Sequence, residues 1–166
     1  AANGVDAAEQ WAAAVLANMA RDPKGSDRDQ VKAVAAGEGD LAIVNSYYIG
    51  LMLHDENEEE QKAAEQVGIF FPNQNGRGTH INISGAGVTK YAPNKENAIK
   101  LLEYLSEEEA QSILANINFE FPCHPQVAKS PLLESWGDFK ADEINLSILG
   151  ENNKAAVMVF DRVGWK

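Results

Sequence analysis

The sequence predicts an α/β protein with a mostly parallel sheet and flanking helices. Along its 166 residues, segments with helical spacing of apolar side chains alternate with short apolar runs. The clearest run, Leu41 to Val44, lies between Gly39 and the polar pair Asn45-Ser46. A short, continuous apolar run with such boundaries is typical of a strand buried on both faces of a parallel sheet.

Helices are predicted where apolar residues recur every three or four positions and the segment ends carry capping signals. In the first half of the chain these segments are 6–20, a helix from Asp27 or Asp29 to Gly37, 47–53 capped by Ser46, and the acidic stretch 55–66. In the second half they are 94–105, 107–115, a short helix beginning at Pro131, and a terminal helix with an apolar stripe over 155–163.

Two further strands and two crossing segments complete the predicted order. Residues 67–71 form an apolar run that ends at Pro72, and residues 79–84 alternate apolar with polar side chains. The turn-forming loop 73–78 is the best linker candidate, and two prolines stiffen a second crossing segment near residues 121–127.

Composition and charge exclude several classes of protein. The formal net charge is -11, whereas nucleic-acid binders use Lys and Arg to neutralise phosphates. The 45% hydrophobic content is that of a folded chain. The single cysteine cannot form an internal disulfide. No apolar run approaches the ~20 residues of a membrane span, so the sequence predicts a protein that does not cross a bilayer.

The most informative group of residues is Asn45-Ser46-Tyr47-Tyr48, between a predicted strand and a predicted helix. Ligands of open α/β sheets bind beyond the carboxyl ends of strands. At the first turn of a helix both phenols can point toward one ligand, and an ionised phenol is a hard oxygen donor suited to ferric iron. From the residues alone, an aromatic pair packed at a helix start is the favoured interpretation, and the metal site is the less common alternative.

Residues 37–48 resemble the tyrosine-pair segment of the periplasmic ferric-iron-binding proteins that serve bacterial iron ABC transporters. The resemblance covers essentially the whole chain through several ordered blocks. These blocks are Arg28-Asp29-Gln30, residues 78–88, residues 94–98, Phe119-Glu120-Phe121-Pro122 and Gly164-Trp165-Lys166.

The resemblance implies a type 2 periplasmic-binding-protein-like fold with two lobes. It implies a periplasmic protein that captures Fe(III) in the interlobe cleft and delivers it to an inner-membrane ABC permease, without catalysing a reaction. Tyr47 and Tyr48 match the family's iron-binding tyrosine pair. Asn45 matches a position that in some relatives helps to hold an anion, such as carbonate or phosphate, beside the iron, and Arg28 is a second candidate anion contact.

On the family pattern the chain resembles only a C-terminal half, so an incomplete iron site and an incomplete two-lobe architecture are expected. Residues 1–78 and 128–166 are assigned to the lobe with the tyrosines, and residues 79–127 to part of the other lobe. So few strands make a poor independent lobe. This part is therefore expected to pair with another copy, to rearrange, or to be partly mobile.

Two other functions were weighed against iron binding. The first keeps the fold and makes the protein a receptor for an oxyanion or a small organic solute, without metal. The second is an enzyme that uses a tyrosine with His80 or His124. It is disfavoured because the sequence contains no recognisable arrangement of nucleophile and base, the adjacent pair Cys123-His124 included.

Overall fold

The computed structural model describes residues 1–165, and its regular secondary structure is helical. None of the helices in that range is both long enough and apolar enough to cross a bilayer. In chain order the helices are α1 (Gly4–Ala17), α2 (Asp27–Ala35), α3 (Tyr47–Leu53), α4 (Glu58–Glu65), α5 (Lys95–Leu105), α6 (Glu108–Ile113), the π-helical turn Leu114–Asn118, α7 (Pro131–Ser135) and α8 (Ser147–Val163).

Local capping chemistry explains several of these helix boundaries. At the start of α2, Ser26 and Asp29 form a reciprocal capping box, with the Ser26 backbone N–H donating to Asp29 Oδ2 at 2.7 Å. Gly37, with φ of +77°, follows the same helix as predicted. The predicted cap Ser46 is itself in the α conformation, and its side chain makes no capping hydrogen bond within the described residues.

The three predicted strands, 41–44, 67–71 and 79–84, do not form a sheet within residues 1–165. In that range the structure has one isolated parallel bridge, between Thr79 and Ala141. The Thr79 N–H donates to the Lys140 carbonyl at 2.8 Å, and the Asp142 N–H donates to the Thr79 carbonyl at 2.8 Å. The physical reason is that a strand is stabilised by backbone hydrogen bonds to a neighbouring strand. Within residues 1–165 the predicted strands have no such neighbour apart from the bridge at Thr79.

The apolar side chains of these segments are correspondingly open. Leu41 is 86% exposed, Ile43 81% and Phe70 77%, although the sequence pattern predicted burial for such residues. Large exposed apolar side chains next to unpaired backbone are the features of a surface that pairs with further strands.

The core consists of two apolar clusters that meet at Trp136. The first joins α2, α3 and α4 through Val31, Ile49, Met52, Ala63 and Ala64. The second joins the π-helical turn and α7 through Ala115, Phe119 and Leu133, and the ring of Tyr47 packs against it. Helix α3 contacts both clusters, the first through Ile49 and Met52 and the second through Tyr47. Its first turn is therefore held at the junction of the two clusters.

Helices α1 and α8 pack on each other. The Arg162 guanidinium at the end of α8 pairs with the Glu9 carboxylate of α1, with Nε donating to Glu9 Oε2 at 2.9 Å. Trp165 stacks on Trp11 with ring centroids 6.4 Å apart. The pair therefore joins the beginning of the described chain to its end.

Candidate metal site

Tyr47 and Tyr48 lie side by side at the first turn of α3. Their ring centroids are 4.3 Å apart and the ring planes differ by 30°, so the two phenols stack and project together. Both residues are partly exposed, and neither ring is enclosed in the core. Both rings are therefore accessible to a ligand. An aromatic pair packed inside the core would not be accessible.

The surroundings of Tyr47 favour its neutral form. They raise the pKa of Tyr47 to about 12. The largest cause is a hydrogen-bonding interaction with Tyr48, followed by burial and then by the charges of Tyr48, Asp27 and Glu120. A metal that binds through this oxygen must displace a tightly held proton, which a highly charged cation does most readily.

Asn45 lies just before the tyrosine pair and is already hydrogen-bonded on both its backbone and its amide. Its backbone N–H donates to Asp27 Oδ1 at 2.7 Å, and its Nδ2 donates to the same oxygen at 3.3 Å. The Asn82 amide, from the segment after the bridge, donates to Asn45 Oδ1 at 3.1 Å. Asn45 therefore links the start of α2 to the segment 79–84.

Glu120 places a second carboxylate near Tyr47, from the chain that follows the π-helical turn. Ser84 Oγ donates to Glu120 Oε2 at 2.9 Å, and the Asn118 amide donates to Glu120 Oε1. The carboxylate is thus held by residues from two separate segments of the chain. Together with Asp27 it places negative charge around the phenol of Tyr47.

Arg28, the other predicted anion contact, is engaged with carboxylates. Its Nη1 lies 2.6 Å from Asp55 Oδ2 and 3.5 Å from Glu60 Oε2, and the pair with Asp55 raises the pKa of the guanidinium above its usual value. Lys32 joins the same group, 2.7 Å from Glu60 Oε1. In the structure this arginine cross-links α2 to the start of α4.

Two of the three histidines, His54 and His124, have hydrogen-bond partners outside the tyrosine pair, and His80 is exposed. His54, at the opposite end of α3, hydrogen-bonds to the Gly50 carbonyl through Nδ1 at 2.9 Å and stacks on Phe119. His80 is exposed beside the bridge residue Thr79, and His124 Nδ1 accepts from the Gln126 N–H at 3.3 Å. Across residues 1–165, no group of three or more His, Cys, Asp or Glu side chains is arranged to hold a metal.

Sequence reasoning does not identify three residues around Asn45 and Tyr47: Asp27, Asn82 and Glu120. The sequence predicts only a helix start at Asp27, and Asp27 is the first residue of α2. Asn82 and Glu120 lie 37 and 36 positions from their hydrogen-bond partners Asn45 and Ser84. Contacts at such separations leave no periodic signal in a single sequence.

The raised pKa of Tyr47 gives a testable expectation for the metal-free protein. Of the four tyrosines, Tyr47 should ionise last in an ultraviolet absorbance titration, and Tyr47→Phe should remove that late step. Because its folded-state pKa lies above the unfolded value of about 10, its contribution to stability is complete below that pH. The contribution is lost as the pH rises through about 12. A titration with no late step would contradict this placement.

Residues 1–141 match a family described as bacterial extracellular solute-binding protein. The chain is 44% identical over 165 residues to the iron uptake protein A1 of Synechocystis sp.. The matched region covers 99% of this chain and 46% of that protein. It is 27% identical over 144 residues to the major ferric iron-binding protein of Neisseria meningitidis, and that match covers 87% of this chain and 42% of the relative.

Two solved structures are similar over nearly the whole chain. One is a Trichodesmium protein (IdiA, FutA) in complex with iron and citrate ligands, with a TM-score of 0.92 and 51% identity, covering 99% of this chain and 52% of that one. The other is a ferric binding protein from Campylobacter jejuni, with a TM-score of 0.91 and 44% identity, covering 95% and 50%. The chain thus spans about half the length of the relatives that it matches.

Proposed function

Since the chain belongs to the family of bacterial extracellular solute-binding proteins, we propose that it is part of a periplasmic protein that captures ferric iron. Tyr47 and Tyr48 are the ligands that this part contributes, and an ABC permease of the inner membrane receives the iron. Relatives described as iron uptake and ferric iron-binding proteins support this assignment. The protein acts by binding and release, and no catalytic step is required.

The observation that carries the proposal is the stacked, partly exposed tyrosine pair beside two carboxylates. The phenol oxygens become hard anionic donors when a trivalent ion displaces their protons. Asp27 and Glu120 raise the pKa of Tyr47 through their negative charge, and the same charge attracts a cation to the site. The arrangement favours a small, highly charged cation as the ligand.

The same charges disfavour the alternative, a receptor for an oxyanion. An incoming anion would meet the carboxylates of Asp27 and Glu120, and Arg28 is paired with Asp55 and Glu60. Among the two binding functions considered, iron capture therefore accounts better for the charges around the tyrosines.

We extend the proposal to the division of the chain into lobes. Residues 1–78 and 128–166 belong to the lobe with the tyrosines, and residues 79–127 to part of the second lobe. The bridge between Thr79 and Ala141 supports this division. Thr79 lies where the chain would leave the tyrosine-bearing lobe, and Ala141 lies in the segment that would return to it. Ligands from both lobes would make closure depend on the metal.

The direct test is ligand binding by the complete protein that contains this chain. We expect calorimetry to detect Fe(III) supplied as the citrate complex, and the loaded protein to show a visible phenolate-to-iron charge-transfer band. Parallel titrations with phosphate, sulfate and sugars should give no comparable heat. Tight binding of one of those solutes, with no band from iron, would replace iron capture by the oxyanion or organic-solute function.

A further inference from the structure

The side chain of Gln74, in the loop 73–78, reinforces the bridge between Thr79 and Ala141. Its Oε1 accepts from the Lys140 N–H at 2.7 Å, and its Nε2 donates to the Lys140 carbonyl at 3.2 Å. The same Nε2 donates to Thr79 Oγ1 at 2.9 Å. The amide therefore pairs with the Lys140 backbone much as a neighbouring strand would.

Gly78 allows the backbones of the two bridged segments to approach closely. It is buried with φ of +99°, and a Cβ there would lie 2.6 Å from the Lys140 carbonyl oxygen and 2.7 Å from the Ala141 carbonyl. Only glycine is compatible with both the conformation and the contact. Arg77 Nε lies 3.1 Å from Asp142 Oδ2 at the same place. Backbone, amide and charged contacts thus hold the loop to the segment opposite.

The second crossing segment, near residues 121–127, is attached at the same place through aromatic packing. Phe139, which directly precedes Lys140, stacks on Phe71 with ring centroids 4.2 Å apart. Phe121 packs edge-on against Phe139, with ring centroids 5.2 Å apart. Two connections anchored at one place leave the parts that they join fewer relative motions than one flexible linker would leave.

We propose that Gln74 and Gly78 form a clamp that fixes the hinge at the tyrosine-bearing lobe, so that lobe closure bends the chain only beyond Thr79. They are positioning residues, and neither is required to contact the metal. The proposal rests on the iron capture and the division into lobes proposed above. By limiting the open arrangements of the lobes, the clamp raises the fraction of molecules that can close on an ion.

The first test measures interlobe distances in the complete protein without metal. Spin labels are attached at Asp22→Cys and Tyr91→Cys, both exposed positions, one in each proposed lobe. Cys123→Ser removes the exposed thiol of this chain, and any other cysteine is also replaced by serine. Pulsed electron paramagnetic resonance then gives the distribution of distances. Gly78→Ala and Gln74→Ala should each give a broader distribution than the wild-type clamp.

The second test measures iron affinity by competition with nitrilotriacetate. When fewer molecules are ready to close, the apparent affinity falls by the same factor. We expect a loss of about tenfold for Gly78→Ala, which forces the bridge apart, and about threefold for Gln74→Ala, which removes only the amide. The charge-transfer band per bound iron should be unchanged, because both tyrosines remain. A weaker band at saturation would mean altered iron ligands and would overturn a purely positioning role.

Gly76→Ala is the matched control because it lies in the same loop. Among the described residues, a Cβ at Gly76 would come no closer than 3.7 Å, to the Asn73 carbonyl oxygen. This variant should keep both the distance distribution and the affinity of the wild type.

The distances and the band decide the two proposals separately. Distributions in Gly78→Ala and Gln74→Ala as narrow as in the wild type would overturn the clamp, even if both variants unfold more easily. If Gly78→Ala fails to fold, Gln74→Ala alone decides. Absence of any charge-transfer band from the wild type would instead overturn iron capture, while the metal-free distances would still decide the clamp.

Discussion

Replacing both Tyr47 and Tyr48 by Phe is expected to abolish the visible charge-transfer band of the iron-loaded complete protein. The band requires a phenolate oxygen bound to Fe(III), and Phe preserves the stacked rings while removing both oxygens. Iron affinity should fall by more than about 100-fold, because even residues that only hydrogen-bond to a metal ligand contribute about 10- to 100-fold to metal affinity. Visible absorbance and competition with nitrilotriacetate measure the two effects.

The matched control uses the other two tyrosines of the chain. Tyr91, in the loop before α5, is 85% exposed, and Tyr104 lies on α5 itself. Tyr91→Phe with Tyr104→Phe removes the same two hydroxyls and should leave the band unchanged. Each single variant at the site should retain a weaker band. An unaltered spectrum in the Tyr47→Phe, Tyr48→Phe protein would contradict the ligand assignment, whatever the affinity.

Gly50→Ala is expected to destabilise the protein more than an ordinary helix substitution. A Cβ at Gly50 would lie 2.3 Å from Phe119 Cγ and 2.5 Å from Phe119 Cβ, so the buried ring must move. Because the displaced ring loses its packing, the cost is that of losing a buried Phe, about 3–5 kcal/mol, and exceeds the about 1–3 kcal/mol of ordinary overpacking. Better helix propensity offsets about 1 kcal/mol. We expect a net loss of roughly 2–4 kcal/mol, measured by urea unfolding.

Gly150 provides the control for this substitution because it lies within α8 and its Cβ would have nothing within 4 Å. Gly150→Ala should therefore stabilise the protein by up to about 1 kcal/mol. Phe119→Leu combined with Gly50→Ala should recover part of the loss, since the smaller side chain makes room for the methyl group. Equal effects of the two Gly→Ala changes would show that the contact with Phe119 does not matter.

The fold class and the helices could be predicted from the sequence because their signals are local. The periplasmic-binding-protein-like fold is confirmed by a TM-score of 0.92 to a solved structure with 51% identity. The predicted helix 47–53 is observed as Tyr47–Leu53, and the predicted helix at Pro131 as Pro131–Ser135. Helical spacing and capping residues depend on neighbours three or four positions away, which a single sequence displays.

The strands and the π-helical turn were beyond that kind of reasoning. An apolar run such as 41–44 indicates a segment suited to a sheet, but pairing requires a partner, and within residues 1–165 only Thr79 and Ala141 form a bridge. Phe119, with φ of +56°, ends the π-helical turn in a left-handed conformation that a bulky residue seldom adopts. Its packing against Gly50 accompanies that conformation and carries no local sequence signal.

The candidate site was predicted in part. Placement of the tyrosine doublet at the first turn of a helix followed from Ser46 and the preceding apolar run. The contact between Asn45 and Asp27 could not be predicted, because Asp27 lies 18 positions earlier and is equally well explained as a helix start. Arg28 illustrates the same limit: its ion pair with Asp55 depends on how α2 and α4 pack, which spacing alone does not specify.

The pairing of α1 with α8 affects how this chain is made in the cell. The chain is synthesised from its N-terminus, so Glu9 cannot form its ion pair until Arg162, 153 positions later, has been added. Even after docking, Trp11 remains 53% exposed. Until residues of α8 have been synthesised, α1 therefore exposes the apolar surface that α8 later covers, so docking of α1 is a late step in the folding of these residues.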